Sequence, residues 1–593
     1  MSAEPLTRED VPTNGGAPNL NALAELQAEE SGGETGDEGG SRKPSQAEWL
    51  IQHAQAVAEL WKTPDGETFA TVPIGDHREH WPLRGAGVRR WLRREYYTVH
   101  GKPPGAQAIQ DALATLDAIA HLEGPTYPVY VRVAEHNGAI YVDLCDDAWQ
   151  AVEVTAGGWR VVANPPVRFC RTKGMLPLPV PVAGGSVDEL RPLLPGLDDE
   201  GWILYVSYLV KSLRARGPCP VLVLQGEQGA GKSSTTRMAR GLVDPNTAPL
   251  RAVPREERDL LIAARNGWII ALDNLSGTPI WLSDALCRLA TGGGWSTREL
   301  YSDTDEVLIN VQRPVILNGI DDLLSRDDLR DRAIILHLPP ISDEQRRDED
   351  ELWREYERVR PRVLGALLDA VSMGLRRWDE TKLPWRPRMA DYARWIAAAE
   401  PALPWEAGAH LDVYTGNRKE AAAVSLESNA VAQAVLALME RREEWEGTAT
   451  ELLAALEQHA SERAQRSKHW PGTPRALSGR LRRVAPQLRQ AGLEVEWSRE
   501  PGSGGRRLIT LRKKTKDDTD RRNRRNRRLD TENPHDDGTF VATQGATVCD
   551  GRPFVPSPLP SHLKPAPEAD CDEGDGSDAK SRTQSTRDEW GDL

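Results

Sequence analysis

A chain of 593 residues, 39% apolar and 28% charged, is too long for one hydrophobic core and rich enough in apolar residues to fold as several soluble domains. Its formal net charge of -14 excludes a surface that binds polyanions throughout, so any nucleic-acid site must be a local basic patch. Six scattered cysteines with no CxxC pair point away from a zinc site or a disulfide framework, and the start Met1-Ser2-Ala3-Glu4-Pro5 lacks the basic and apolar regions of a signal peptide. With no apolar run long enough to span a bilayer, a reducing cytoplasm is the expected location.

Residues 1–44 are rich in Gly, Glu, Ser and Pro, and the sequence predicts disorder there. A small α+β domain is predicted over 45–185. Trp49, Leu50, His53, Val57 and Leu60 recur at helical spacing, as do Ile109, Leu113, Leu116 and Ile119. The period then falls to two. Runs 127–134 and 139–144 read as strands joined by the hairpin signal Asn137-Gly138, and 150–155 and 159–162 repeat the pattern around Ala156-Gly157-Gly158. The Pro-rich stretch 177–181 reads as a link. The acidic cluster Asp143, Asp146 and Asp147 could in principle hold two metals for nucleotidyl transfer. The domain is small and has no second downstream acid, so a hairpin end facing water, within an accessory domain, is the favoured reading.

Residues 186–345 alternate between helix and strand, which predicts an α/β core. A helix over 198–214 opens with Asp198 and Asp199, and strands are expected at 221–224, 268–272, 306–311, 314–317 and 333–338. The first of these strands runs into Gly226-Glu227-Gln228-Gly229-Ala230-Gly231-Lys232-Ser233, followed by Ser234. This is the GxxxxGK[ST] phosphate loop. Its glycines let backbone N–H groups curve around phosphate oxygens, Lys232 can reach the β- and γ-phosphates, and the Ser233 hydroxyl can ligate Mg²⁺. Strand before and helix after give the motif its context, with the helix N-terminus facing the anion. ATP and Mg²⁺ are therefore the expected ligands. The apolar run 268–272 ends in Asp273, placed to hold Mg²⁺ mostly through water. The following residue is Asn274, where many related ATPases carry a second acid. Asn cannot act as a general base, which leaves slow hydrolysis or a substitute among Glu256, Glu257 and Asp284. A third strand, 314–317, ends in Asn318, whose amide can orient the attacking water.

Residues 346–440 read as helical, with Pro361 at a helix start and Val363, Leu364, Leu367, Leu368 and Val371 on one stripe. In 441–512 a capping box, Thr448 to Glu451, opens one helix, and a second follows Pro474. The second helix carries Arg475, Arg480, Arg482, Arg483 and Arg489 around Leu477, Leu481, Val484 and Leu488. Two short strands, 493–497 and 506–511, flank the turn 502–505. Helix, helix, hairpin is the order of a winged helix, which would place the arginine helix in a major groove and Arg506 and Arg507 on phosphates. A basic solvated helix in a protein-interaction domain is the alternative. The tail 513–593 is predicted to be disordered. It begins with the arginine-rich arm 521–528, suited to salt-sensitive binding of nucleic acid, and finishes acidic.

The P-loop, the strand ending in Asp273 and the strand ending in Asn318, in this order, resemble the superfamily-3 helicase-like AAA+ ATPases of phages, plasmids and integrated elements. The similarity extends to the virulence-associated-protein-E and phage primase-helicase type and covers about residues 198–345. It implies an AAA+ core and a homo-oligomeric ring, usually a hexamer. It implies a channel hairpin at 289–301 with Arg298 touching DNA. It also implies an arginine finger in 325–332: Arg332, with Arg326 and Arg330 as alternates. A charged helix end paired with Asp327, Asp328 and Asp331 is the competing account of those arginines. The activity so implied is an ATP-driven DNA helicase, or a helicase-like motor or loader, in replication of a mobile element, with DNA and replication proteins as partners. A DNA-bound regulatory or defence switch without translocation is the rival, and Asn274 favours it.

Overall fold

The computed structural model describes residues 43–298, 306–320, 323–324, 326–467, 470–500 and 505–513, with backbone alone at 295–298, 306–310, 425, 428 and 490. The predicted disordered termini, the arm 521–528, Ser325 and the turn residues 502–504 lie outside the described residues.

Four parallel strands make the central sheet, in the order Ile270–Leu275, Val315–Gly319, Val221–Gln225, Ala333–His337. The strand Val221–Gln225 is buried throughout because helices cover both faces of the sheet. Val221 and Val223 pack with Leu260, Leu272 and Leu286 on one side. Leu222 and Leu224 pack with Tyr205, Met238 and Leu367 on the other. Both outer edges are closed. Arg251 bridges to Leu272, with its N–H on the Ala271 carbonyl (3.0 Å) and its own carbonyl taking the Asp273 N–H (2.9 Å). At the other edge Asn417 exchanges two hydrogen bonds with the Ile335 backbone (2.6 and 3.1 Å).

The predicted strand at 306–311 is not part of this sheet. Glu306–Asn310 pairs antiparallel with Gly294–Arg298, forming a hairpin. A parallel strand needs a crossover of a dozen or more residues, and the four residues 311–314 before the sheet strand Val315–Gly319 cannot supply one.

The region 45–185 divides in two. Helices Gln46–Val57, Ala86–His100 and Ala106–Leu122 share a core with the antiparallel sheet Glu59–Lys62, Thr68–Ile74, His77–Pro82. The sheet and the middle helix escaped the sequence reading, because His77-Arg78-Glu79-His80 is too polar to show a strand period. The second part is a four-stranded antiparallel meander, Val133–His136, Ala139–Asp143, Ala151–Thr155 and Gly158–Val162. Asn137 (φ 49°) and Gly138 (φ 77°) take the left-handed conformations that a tight hairpin requires. Ile140, Val142, Val152 and Val154 sit in the same core as Tyr205 and Leu367, so this sheet packs as part of the α/β unit.

A buried ionic cluster joins them. Asp244, just past the P-loop helix, accepts from Arg132 Nε (3.2 Å) and from the Trp268 and Ile269 N–H groups (3.0 Å each). Arg132 also donates to the carbonyls of Asp143 (3.0 Å) and Leu176 (2.8 Å). The stretch 177–181 is no free link. Leu178 is buried with its N–H on the Leu144 carbonyl (2.9 Å), and Val182 donates to the Pro361 carbonyl (2.9 Å).

Pro361 does not start a helix; it lies inside Glu349–Arg377. Asp348 caps that helix through the Asp350 N–H (3.0 Å), and three acids occupy its first turn, which fixes the start well upstream of the proline. Helices Ala390–Ala399 and Ala409–Ser428 follow. The last core gathers Ala430–Met439, Ala449–Glu457 and Pro474–Gln490 with a sheet ordered Glu444–Thr448, Arg507–Lys513, Leu493–Arg499. The helix Ala430–Met439 and the strand Glu444–Thr448 extend this unit beyond the predicted start at 441. No helix among the described residues is long and apolar enough to cross a membrane.

Candidate nucleotide site and nucleic-acid surface

The C-terminal ends of parallel strands are where α/β sheets collect ligands, and three of the predicted elements meet there. Leu224 stands opposite Asn318, and Leu272 opposite Leu317. The phosphate loop leaves Val221–Gln225 and enters the helix Lys232–Val243 at Gly231 (φ 75°), a left-handed cap. A Cβ on Gly226 would meet the Leu338 carbonyl oxygen at 2.3 Å, and one on Gly231 would meet Ile341 at 2.9 Å. The segment after Ala333–His337 thus lies against the loop and leaves room only for glycine.

Lys232 Nζ donates to the Gly226 and Glu227 carbonyls, at 2.7 Å each. Partial burial lowers its pKa, and the nearby Asp273 charge pulls it back up. Ser233 Oγ lies 3.3 Å from Asp273 Oδ1, so the two predicted Mg²⁺ ligands converge. Asn318 is 1% exposed. Its Nδ2 donates to Thr236 Oγ1 (3.2 Å), which in turn donates to the Lys232 carbonyl (3.0 Å), while Asn318 Oδ1 has no partner. A buried unpartnered acceptor costs free energy unless a ligand or water completes it.

Asn274 is exposed with φ 55°, just where the strand register shifts between Leu272 and Leu275. Asn tolerates this left-handed conformation far better than Glu does. Of the three substitute acids, Glu257 is ion-paired with Arg288 and Asp284 with Arg326 (2.8 Å), while Glu256 precedes the helix Glu257–Asn266.

Sequence reasoning missed two contributors. Thr236 lies one turn beyond Lys232, and that spacing is the signal that could have found it. Arg346 follows the strap over the loop: its Nη2 is 3.9 Å from where a Gly229 Cβ would stand, and its Nη1 pairs with Asp343 (3.1 Å). A cavity of about 280 Å³ opens beside the loop, between Gln225, Gly226 and Glu227 on one side and His337, Asn417 and Glu420 on the other.

The predicted finger arginines lie around the short helix Asp327–Arg330 and the N-terminal end of Ala333–His337, and Arg330 lines the cavity beside Gly226 and Glu227 of its own chain. Arg332 is ion-paired with Asp328 and donates to the Asp328 carbonyl (2.8 Å). Arg388 holds Asp328 (2.9 Å) and Asp331 (3.3 Å). Arg330 is buried and donates to the Leu324 carbonyl. Asp143 does not face water: it is 1% exposed and bound by Arg171 through Nη2 (2.7 Å) and Nε (3.1 Å). Among the described residues no His, Cys, Asp and Glu cluster could hold a metal by itself.

In the C-terminal unit Leu477, Leu481, Val484 and Leu488 are buried as predicted, which leaves Arg475, Arg482 and Arg483 exposed and Arg480 partly so. Arg482 lies over Trp497 (5.6 Å), Arg489 pairs with Glu494 (3.4 Å), and Arg506 and Arg507 are exposed at the hairpin. Arg298 ends the strand Gly294–Arg298, which pairs with Glu306–Asn310; its side chain lies outside the described residues.

Residues 188–415 match the family model of the actinomycete integrative conjugative element replication protein, and residues 431–527 match that of the RepA C-terminal domain of the same elements. The matches indicate a replication protein of a mobile element. The first match spans the central sheet and the helices after it, and the second begins at the helix Ala430–Met439. No curated protein matches the chain. Two apo structures of the NrS-1 C-terminal region are similar at 12% and 14% identity, with TM-scores of 0.36 each. They cover 80% and 78% of this chain and 100% and 98% of their own. A likeness at that level decides neither fold nor activity.

Proposed function

We propose that the chain is an ATP-hydrolysing motor or loader of the superfamily-3 helicase-like AAA+ type, acting on DNA in the replication of a mobile element. The observation that carries this reading is the convergence of Ser233 and Asp273 at 3.3 Å on the edge of the sheet where Asn318 is buried. Oxygen donors at that spacing suit Mg²⁺, a hard cation that takes few protein ligands and relies on substrate phosphates for others. Bound there, Mg²⁺ would neutralise charge on the β- and γ-phosphates. The loop N–H groups hold the phosphates, and Lys232 exchanges its two carbonyl partners for phosphate oxygens. Asn318 Oδ1 accepts from the attacking water. The cavity beside Gly226 is the place for the base.

Arg332, or its neighbours Arg326 and Arg330, completes the site of an adjoining subunit in a hexameric ring. Arg298, at the end of Gly294–Arg298, is the channel contact to DNA, and Pro474–Gln490 with Arg506 and Arg507 supplies duplex contacts in the manner of a winged helix. Asn274, an amide that cannot act as a general base, supports a second reading, in which ATP sets assembly on DNA and turnover is incidental.

The test is Lys232→Ala. Nucleotide binding is expected to be lost with an unchanged circular dichroism spectrum; retained binding would remove the P-loop assignment. Negative-stain imaging with ATP and forked DNA then separates the two readings, since a motor requires a ring around DNA.

A further inference from the structure

The helix Ala86–His100 lies outside both matched family regions and carries arginines at 89, 90, 93 and 94. All four are exposed, whereas Val88, Trp91, Leu92 and Tyr96 are buried in the N-terminal core. At about 100° per residue the four arginines and Tyr97 fan across one face of roughly 140°. Glu95 points elsewhere, beside His53 (3.4 Å).

No carboxylate stands three or four residues from any of the four. Among the described residues none of them lies within ion-pair distance of an acid. Arg84, just before the helix, shows the usual pattern by pairing with Asp117 (3.1 Å). The pairs 89–93, 90–94 and 90–93 are instead like charges at helical spacing, and each destabilises the helix. A face kept only for solubility mixes its signs, above all in a chain with a net charge of -14. Tyr97 is 58% exposed on the same face, one turn beyond Arg93. Guanidinium groups beside an open aromatic ring form the combination that grips a phosphate backbone while stacking a base.

We propose that this face binds single-stranded DNA and is a second nucleic-acid surface, distinct from Pro474–Gln490. The arginines meet phosphates and Tyr97 stacks on an unpaired base. That the polyanion is DNA rests on the replication reading; the surface itself does not depend on ATP hydrolysis.

The test uses the full chain without nucleotide and measures anisotropy of a labelled oligothymidylate and of a duplex across a salt series. Replacing Arg89, Arg90, Arg93 and Arg94 with Gln is expected to weaken single-strand binding. The slope of log K against log salt should flatten by about 0.7 per lost contact, roughly three units in all. Tyr97→Ala should weaken the single strand by about fivefold or more and leave the duplex unchanged. A photocrosslinker at position 97 in an otherwise unaltered chain should attach to the oligonucleotide, which covers the case of a misfolded quadruple variant. A folded quadruple variant that still binds nucleotide and keeps the parent's affinity and slope overturns the proposal, as does a crosslinker that captures no DNA. Equal losses on duplex with Tyr97→Ala silent overturn the single-strand assignment. Lys232→Ala leaves all these values unchanged, so failure of the ATPase reading is seen separately.

Discussion

The two proposed binding regions differ in build: the P-loop edge is a curved backbone with one lysine, and Pro474–Gln490 carries exposed guanidinium groups. The first arrangement is fixed by contacts that leave no slack. Gly226 faces the Leu338 carbonyl, Ser233 faces Asp273, and Asn318 is buried with one free acceptor. The second is fixed only in its apolar half, where Leu477, Leu481, Val484 and Leu488 anchor the helix. Its arginines can each be lost without disturbing the others. A site made by geometry fails by orders of magnitude at one atom, whereas a site made by charge fails in increments.

The largest expected effect tests the geometric side. Arg332→Ala should keep ATP binding and lower hydrolysis by about 10³–10⁵-fold, the range of trans-acting arginines. Mixing it with Lys232→Ala subunits should restore some turnover, because one intact boundary can form from two defective chains. If ATP binding itself disappears, the Asp328–Arg332 pair is structural and the finger lies elsewhere.

Next comes Asn274→Glu. Supplying the missing acid should raise turnover by about 10²–10⁴-fold, the usual worth of general-base catalysis. Its left-handed backbone makes Glu costly by roughly 1–2 kcal/mol, so a lower melting temperature should accompany the gain. An unchanged rate would show that another residue already activates water.

On the charge side, the fragment 409–513 should bind duplex DNA. It includes the helix Ala409–Ser428 because Leu426, with Val431, Val435 and Leu438, belongs to its core. Charge reversal at Arg480, Arg482 and Arg483 should flatten the salt dependence by about 0.9 per contact, roughly three units. A folded fragment with no DNA binding at low salt would remove the winged-helix reading.

The smallest effect blurs the contrast. Arg346 sits at the geometric site yet is largely exposed and paired with Asp343. Arg346→Ala should weaken ATP binding by only about two- to fivefold, in line with a screened charge contact. A loss of hundredfold, measured by calorimetry, would place Arg346 among the fixed ligands of the loop.

The strands and the loop of the candidate nucleotide site were legible because each of them is written locally. The P-loop, the strand into Asp273 and the strand into Asn318 each announce themselves within a few residues, since a buried parallel strand must be apolar along its whole length. The buried stripe of Pro474–Gln490 was legible for the same reason: its period is its own.

Other features required the folded chain. The strand predicted at 306–311 could have joined the central sheet; only the lack of room for a crossover sends Glu306–Asn310 into a hairpin with Gly294–Arg298. Asp143 reads as a free acid in sequence and becomes a buried partner of Arg171, a residue from outside the meander's strands. The join between the 133–162 meander and the α/β unit depends on Arg132 reaching Asp244, far along the chain. By itself, then, the sequence determined where the phosphate-loop motif lies and that Pro474–Gln490 carries arginines around an apolar stripe, because those properties belong to short stretches. Tertiary structure decided which acids are spent in ion pairs, which strand enters which sheet and where domains begin, because burial and pairing partners are set by residues distant in sequence.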